Sequence, residues 1–538
     1  MRQVAFLTSF SVAWFLAYGC GNSDSERGAA PPDGGIDTPD GNPGPVTENC
    51  PAAFPADDPR GISERCGLFV SAGAAANAGD GTMARPYGSL QKAIYAAQDT
   101  GRRVYVCSGK YDEPIVLTGK VSLFGYFDCA GGHWKVTQER AKIVPRTSPA
   151  VRAVLAENVY LDGFEIVAAD AWEPGGSSIG LLVTDSTGLS IVNTKIHAGV
   201  GGNGADGKEG PTLRPAANMD GTGAPSTEDC CLYDVNGTCT GRKTSCETTH
   251  SSRPGGVGGC VDDNGRTYST PSGGISGGSA WFVFDALSGW RRTDGWVEDG
   301  RPFGGGTEAC ASGGLANTNA NGRAGHPGDP GLSGFSGRDF GGILLMPNSV
   351  YVTSDGSPGM DGHPGQAGGG GGGHNATSSG LTPKPGIIAM GPPGSGGGAG
   401  GCPGVAGTPG QGGGASLAIV SLNSPFQLRN VAIETSSGGA GGRGTFGSAP
   451  TAGGQAGPAL PLSGDALRGF AGGAGGLAGA SGSGGGGPSI GVLYRGLPPI
   501  LHDTVIKVGS GGNGVPEERG RTIIPASQPG LAAPSHEY

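Results

Sequence analysis

The chain has 538 residues, of which 113 are glycine and only 6% are aromatic, so large apolar side chains are too scarce to fill one globular core. A narrow core repeated along a solenoid fits this composition better. The 35 Lys and Arg against 45 Asp and Glu give a net charge of −10 without a basic run, which argues against a nucleic-acid partner. Twelve cysteines indicate an oxidising compartment if they pair.

The chain begins with a pattern typical of export signals. A short basic start, Met1-Arg2-Gln3, precedes the apolar run 4–17, which is too short to span a bilayer. The run ends at Ala17-Tyr18-Gly19-Cys20, which resembles the lipobox of bacterial lipoproteins. The resemblance implies a lipoprotein signal peptide over 1–20, acylation of Cys20, and an exported protein held at the outer membrane or cell surface by a lipid anchor. The alternative is an ordinary cleavable signal with an incidental cysteine.

Residues 21–49 are rich in Gly, Pro, Asp and Ser, and this composition predicts a disordered tether. Residues 50–210 then alternate short apolar runs with turn residues. Ser89 is a candidate N-cap, and Leu90, Ala93, Ile94 and Ala97 define one face of a short helix. Strands are predicted over 67–71, 103–107, 115–117, 121–127, 159–166, 179–183 and 189–196.

Three runs in this region carry a family resemblance. They are G-D-G-T-x-x-x-P-Y-G-S-L-Q-x-A-I from Gly79, V-Y-V-C-x-G-x-Y from Val104 and V-S-L-F-G-Y-F from Val121. Together they resemble the start of bacterial secreted proteins with a pectin-lyase-like domain, which include surface lipoproteins of unknown function, many from myxobacteria. The resemblance implies an all-β fold, a single right-handed parallel β-helix whose N-terminal end is closed by a capping helix.

An internal repeat supports stacked coils independently of the resemblance. Counted from Ile196, Ile433 and Ile506, an apolar residue stands five places earlier, Asn or Asp stands three places earlier, and glycines follow five, six and eight places later. Fixed offsets predict coils whose equivalent residues lie above one another. A β-sandwich, also built of short strands, is the alternative. The earlier residues are Ile191, Leu428 and Leu501, and Asn193, Asn430 and Asp503.

The cysteines are predicted to form disulfides. Cys50 with Cys66, and Cys107 with Cys129, are candidate pairs, although spacing does not determine connectivity. Residues 211–310 form a predicted insert in which the spacing does not suit zinc, so disulfides are expected there too. With Cys20 acylated, eleven cysteines remain and one thiol is left over. The candidate cysteines of the insert are Cys230, Cys231, Cys239, Cys246, Cys260 and Cys310.

The same insert contains half of the six tryptophans, namely Trp281, Trp290 and Trp296. Exposed indole rings can stack on sugar rings, which makes these residues candidate carbohydrate contacts. The other interpretation, which we favour, is a small satellite core within the insert.

Residues 311–538 combine further coils with glycine tracts in which glycine recurs at every third position. Period three is typical of polyproline II geometry. Short, interrupted tracts that return to strands exclude a collagen triple helix. Two interpretations remain: flexible glycine loops, because ordering glycine is entropically costly, and a bundle of polyproline II helices whose aligned glycines permit close approach.

No catalytic, metal or cofactor site is predicted. Acidic residues are isolated along the coils, and Asp162 is interpreted as a turn residue. The sequence therefore favours a non-enzymatic, exported surface lipoprotein that acts as a rigid structural, interaction or display scaffold, with a cell-surface protein or polysaccharide as a possible partner. The alternative is a β-helix that binds or cleaves polysaccharide, with paired carboxylates in a groove.

Overall fold

The computed structural model describes residues 50–51, 54–74, 79–216, 218–221, 231–233, 239–242, 260–268, 281–285, 289–293, 326–342, 351–366, 368, 388–390, 395–458 and 469–538. The predictions for the signal peptide 1–20 with Cys20, the tether 21–49, Cys230, Cys246, Cys310 and Trp296 fall outside these residues. Only the backbone is described for Cys231, Cys239, Trp281 and Trp290.

The described chain is dominated by short strands. The first part comprises a 3₁₀ turn at Pro59–Gly61, β1 Gly67–Val70, α1 Leu90–Thr100, β2 Arg103–Cys107, β3 Gly109–Tyr111, β4 Ile115–Leu117, β5 Val121–Asp128, a 3₁₀ turn at Ala130–Gly132, β6 Lys135–Val136, β7 Ala141–Ile143, β8 Val151–Val154, β9 Val159–Asp162, β10 Phe164–Val167, β11 Ser178–Thr184, β12 Leu189–Val192 and β13 Lys195–Ala198.

The middle part comprises β14 Arg214–Pro215, β15 Cys231–Tyr233, β16 Cys239–Arg242, β17 Cys260–Val261, β18 Thr267–Tyr268, β19 Trp281–Asp285, β20 Gly289–Thr293 and β21 Ile388–Met390. The last part comprises β22 Ser416–Leu422, β23 Phe426–Arg429, β24 Ala432–Thr435, β25 Ser489–Arg495, β26 Ile500–His502, β27 Val505–Lys507, β28 Glu518–Arg519, β29 Ile523–Ile524 and β30 Ala532–Glu537.

Three parallel sheets organise these strands, and the fold is all-β. Sheet 1 has the order β1-β2-β5-β9-β12-β23-β26 with β6 antiparallel beside β5, sheet 2 the order β3-β7-β10-β13-β24-β27, and sheet 3 the order β4-β8-β11-β22-β25-β30. From β8 onward the chain enters sheet 3, sheet 1 and sheet 2 in that order, and it does so again from β11, β22 and β25. Parallel pairing between strands distant in sequence is the expected consequence of such repetition.

The register confirms the repeat. In sheet 1 Ile191 pairs with Leu428, which pairs with Leu501. In sheet 2 Ile196 pairs with Ile433 and then Ile506, the three residues from which the offsets were counted. The 217 residues between β13 and β22, 199–415, leave this alignment intact, because β11 pairs directly with β22.

The Asn or Asp position of the repeat adopts a left-handed backbone conformation, which explains the residue type. Asn193, Asn430 and Asp503 have φ of 47°, 52° and 46°, and each stands between a strand of sheet 1 and one of sheet 2. Asn and Asp tolerate the left-handed region better than other residues with a side chain. A single such residue therefore turns the chain from one sheet into the next.

The N-terminal helix matches its prediction. The Ser89 side chain accepts a hydrogen bond from the Lys92 amide, and α1 ends before Gly101, whose φ is 66°. The predicted face is the one that is buried, and it packs against the core that the three sheets share. Amphipathic spacing was a sufficient signal here because the helix has one apolar face and one solvated face.

The glycine tracts are ordered by hydrogen bonds at every third residue. Gly201, Gly204 and Gly207 donate their amides to the carbonyls of Ser437, Ala440 and Arg443. The segment 398–414 donates in the same manner to 470–485, and it also bonds to 202–208, 356–368 and 439–454. These tracts have no strand or helix, so the bonds join neighbouring tracts rather than strands of a sheet. The flexible-loop interpretation is therefore wrong for the described tracts.

The disulfides confirm two candidate pairs and correct a third expectation. Cys50 is bonded to Cys66, and Cys107 to Cys129. Cys260 was expected to pair within the insert 211–310, and it is instead bonded to Cys402 in the central glycine tract. Both sulfurs are buried beside Leu213 and Val405. Spacing could not show this pair because 142 residues separate the two cysteines.

The described strands of 211–310, together with β21 from residues 388–390, form small antiparallel sheets. One contains β14, β17 and β18, a second contains β15 and β16, and a third contains β19, β20 and β21. Trp281 pairs with Thr293 and Trp290 with Phe284 in the β19–β20 hairpin. The backbone thus places both tryptophans on one hairpin.

Candidate functional site

Sheet 1 has a second apolar cluster besides the common core. Its strands contribute Phe69, Tyr105, Phe124 and Phe127, all fully buried, together with Tyr160 on β9. Strands with apolar residues on both faces need a cover on each side. Phe54, in the segment that the Cys50–Cys66 disulfide ties down, supplies part of this cover and stacks on Tyr160 with ring centroids 5.1 Å apart.

Two clefts open where this N-terminal cover ends. The larger has a volume of about 530 Å³ and the smaller about 250 Å³, and both are lined by Ala56, Asp162, Asn193 and Asn430. They are therefore two parts of one depression, which we call the Asp162 groove. Its further lining residues include Phe54, Asp57, Tyr160, Arg429 and Asp503 on one side, and Tyr126, Thr137, Gln138 and Arg140 on the other.

Asp162 lies at the centre of the groove, and the interpretation as a turn residue is wrong. It is the last residue of β9, it is 4% exposed, and the left-handed turn residue is Gly163. Its carboxylate accepts a hydrogen bond of 2.9 Å from the Asn193 side-chain amide. Asn193 in turn accepts one of 2.7 Å from Asn430. The repeat thus builds a ladder of amides that ends on a buried carboxylate.

Burial raises the pKa of Asp162 to about 6, because desolvation disfavours the charged form. The Asn193 hydrogen bond, the Tyr126 hydroxyl and the guanidinium groups of Arg429 and Arg140 act in the opposite direction. The carboxyl therefore exchanges its proton near neutral pH, while surface carboxyls lose theirs well below it.

Two tyrosines face the same carboxylate. Tyr126 is 8% exposed, and its hydroxyl lies near the Asp162 carboxylate without a hydrogen bond of good geometry to any described atom. Burial and the nearby Asp162 charge raise the pKa values of Tyr126 and Tyr160. A buried hydroxyl without a well-formed hydrogen bond costs free energy, and a bound ligand or water molecule can supply that bond.

The arrangement suits recognition of a polar ligand. Arg140 donates to the Asn193 carbonyl at 2.7 Å and lines the smaller cleft, while the exposed Arg429 lines the larger one. Aromatic rings, amides, a guanidinium and a carboxylate on one surface can stack on and hydrogen-bond to a hydroxylated ring. The groove is shallow and polar, and Asp162 is its one buried carboxylate among the described residues.

Most of the groove was not visible in the sequence. The repeat indicates Asn193, Asn430 and Asp503, but no pattern in the sequence distinguishes Tyr126, Tyr160 and Arg429. Arg429 is opposite Val192 in the β12–β23 pair, although 237 residues separate them. Once the repeat is aligned, the residue preceding each Asn marks this edge of sheet 1.

Of the predicted carbohydrate contacts, Trp281 and Trp290 are placed by their backbone on the β19–β20 hairpin, and the described lining of the two clefts comes from other segments. Within the described ranges, no three His, Cys, Asp or Glu side chains are arranged to hold a metal ion.

No family model, curated protein or solved structure matches this chain. Among the described helices, none is long and apolar enough to cross a membrane.

Proposed function

We propose that this chain is an exported surface lipoprotein that serves as a rigid structural or display scaffold and does not catalyse a reaction. In this proposal sheets 1, 2 and 3 are the faces of a single right-handed parallel β-helix of the pectin-lyase-like type, closed at one end by α1. The glycine tracts form a bundle of polyproline II helices beside it.

One observation carries the proposal, which is the hydrogen bonding between the tracts. Glycine is the residue that loses most conformational entropy on ordering, so a tract that serves only as a linker gains nothing from being ordered. Here the segment 398–414 bonds to four other segments and is almost wholly buried. A protein that orders so much glycine presents a fixed outer surface, and this is the property that a scaffold requires.

The tracts also support the polyproline II assignment. A helix with three residues per turn has no internal hydrogen bonds and points every third amide in the same direction. Donors at 398, 401, 404, 410 and 413 follow this period, and their acceptors at 470, 473, 476, 482 and 485 follow it too.

The lipid anchor is tested by labelled palmitate. Cells producing the wild-type chain are expected to incorporate label into the protein, and the Cys20→Ala variant is expected to incorporate none. Protease added to intact cells is expected to degrade the wild-type protein. The matched control is Cys129→Ala, which alters a cysteine of the folded region and leaves the acylation site intact. Label retained in Cys20→Ala, or full protection from protease, contradicts the anchor or the surface location.

A second function is favoured by the Asp162 groove, namely binding of a polysaccharide. The stacked Phe54 and Tyr160, with Arg429 beside them, provide an apolar ring surface and a cation for an acidic sugar. A binding screen against acidic polysaccharides, with and without calcium, tests this function. The binding proposal expects affinity that falls at least about tenfold in Arg429→Ala and is unchanged in Arg338→Ala, an exposed arginine of the tracts. Absence of binding and of cleavage favours the scaffold function alone.

A further inference from the structure

The two ends of the three sheets differ in whether another element covers them. At the N-terminal end, α1 packs Leu90, Ala93 and Ile94 into the common core, and each is fully buried. At the other end, the last strands are β26 in sheet 1, β27 in sheet 2 and β30 in sheet 3. In the described part of the chain, no strand pairs with the outer side of these three.

The core continues to this C-terminal edge and becomes exposed there. Leu161, Ile191 and Leu428 form a ladder in sheet 1 and are at most 2% exposed, while the next residue of the same ladder, Leu501, is 42% exposed. Ile506, which continues the Ile196–Ile433 ladder of sheet 2, is half-buried. Ile500 and Val505 lie on the outer face of the same two strands, in register with Gln427 and Ala432, and are 51% and 59% exposed. Unpaired strand edges with apolar side chains are templates for pairing with another chain.

The three edge strands are not equally open. Strand β30 contains Pro534, which has no amide hydrogen to donate, and it ends in the polar residues His536 and Glu537. Strands β26 and β27 contain no proline, and Lys507 at the end of β27 is paired with Glu434 at 3.5 Å. An incoming strand is therefore accepted best beside β26 and β27.

Charge and symmetry indicate what the incoming strands are. The segment 496–508 has one Asp and one Lys, Asp503 and Lys507, so it is formally neutral in a chain with a net charge of −10. Two copies can meet at this end without the repulsion expected elsewhere on the molecule. A twofold axis perpendicular to the stack of strands places the C-terminal edges of two copies against each other in antiparallel orientation, so that the open core end of one copy faces that of the other.

We propose that the C-terminal edge formed by β26 and β27 is a homodimerisation surface. The partner is a second copy of this chain, and pairing between the two copies extends the sheets and covers the exposed end of the core. This contact does not depend on the lipid anchor, and it borders the Asp162 groove, because Asp503 between β26 and β27 also lines the larger cleft.

Sedimentation equilibrium of the purified full chain tests the proposal, at concentrations from about 1 to 100 µM, a range that detects micromolar association. The mass is expected to approach that of a dimer as the concentration rises. Val505→Lys, which places a second charge on the exposed β27 edge, is expected to raise the dissociation constant at least about tenfold. The matched control is Val136→Lys, which changes a 41% exposed strand valine of β6, far from this edge in the order of sheet 1, and it is expected to dimerise as the wild type does.

Ile500→Lys gives a second variant on β26, and far-UV circular dichroism checks that each variant is folded. Hydrogen exchange at residues 500–507 is read on the same samples. Protection that rises with protein concentration supports the dimer. Three results overturn it: a monomer with rapid exchange at 500–507, a monomer in which these amides are protected at every concentration because the same chain covers them, and a dimer that both folded lysine variants leave unchanged.

Discussion

The strand core and the glycine tracts are two different ways of ordering one chain. In the three sheets, side chains such as Phe164 and Leu428 fill the interior, and the backbone hydrogen bonds run along each strand pair. In the tracts the contact surface is the backbone itself, since glycines such as Gly204 lie so close to a neighbouring carbonyl that a Cβ would overlap it. The first arrangement depends on the volume of side chains, and the second depends on their absence.

The largest expected effect is the loss of stability when an aromatic ring is removed from the core, compared with the same substitution in a glycine tract. Phe164→Ala removes a fully buried ring from the core and is expected to lower the free energy of unfolding by about 4 kcal/mol. Phe335→Ala makes the same change in a tract where the ring is 83% exposed, and it is expected to alter stability by less than about 0.5 kcal/mol. Urea unfolding followed by circular dichroism compares them. Equal losses mean that the tracts also depend on side-chain packing.

The reverse substitution is expected to damage the tracts. Gly204→Ala places a methyl group against the Gln411 carbonyl and forces two tracts apart, with an expected loss of about 3 kcal/mol. Gly73→Ala is the matched control, because the nearest atom to its Cβ is the Ser71 hydroxyl at 3.8 Å. There the change is expected to be neutral or to stabilise by about 0.5 kcal/mol. A tolerated methyl group at Gly204 argues against close packing of the tracts.

A smaller effect concerns the carboxylate of the groove. The pKa of Asp162 is about 6 in the folded protein, above its ordinary value of 3.8, so the native state binds this proton more tightly than the unfolded state. The stability that protonation provides is therefore present below pH 4 and is lost as the pH rises through 6. Asp162→Asn removes the buried charge, and it is expected to stabilise the protein by about 2 kcal/mol at pH 8 and by much less at pH 4.

The control for this prediction is Asp112→Asn, an ion-paired carboxylate whose side chain is 58% exposed. Surface pairs of this kind contribute less than about 1 kcal/mol, and no comparable gain at pH 8 is expected. A loss of stability in Asp162→Asn at pH 8 shows that the charged form is stabilised more than its burial suggests.

The parts of the fold that local chemistry determines were predictable. Helical spacing and a serine cap predict α1, and fixed offsets in the sequence align Ile196, Ile433 and Ile506. The Asn193 and Asn430 positions followed from the same offsets. All of these signals depend on residues that are close together in the sequence, or on repetition of such a unit.

The remainder depends on contacts that leave no local pattern. Cys260 and Cys402 meet because a glycine tract passes beside the insert, and nothing in the spacing of either cysteine encodes that path. Asp162 resembled a turn residue because Gly163 follows it, but strand pairing places its side chain in a covered groove. Period three alone was equally consistent with loops and with packed tracts, because glycine permits both conformations.

Amide hydrogen exchange across residues 398–414 and 470–485 tests the central claim, that the glycine tracts are packed together by hydrogen bonds with period three. Slow exchange is predicted at Gly398, Gly401, Gly404, Gly410 and Gly413, whose amides donate to the parallel tract. Gly204→Ala is predicted to accelerate exchange in these tracts while leaving the amides of β12 protected. Uniformly fast exchange across both segments, at the rate of an unstructured glycine chain, contradicts the account.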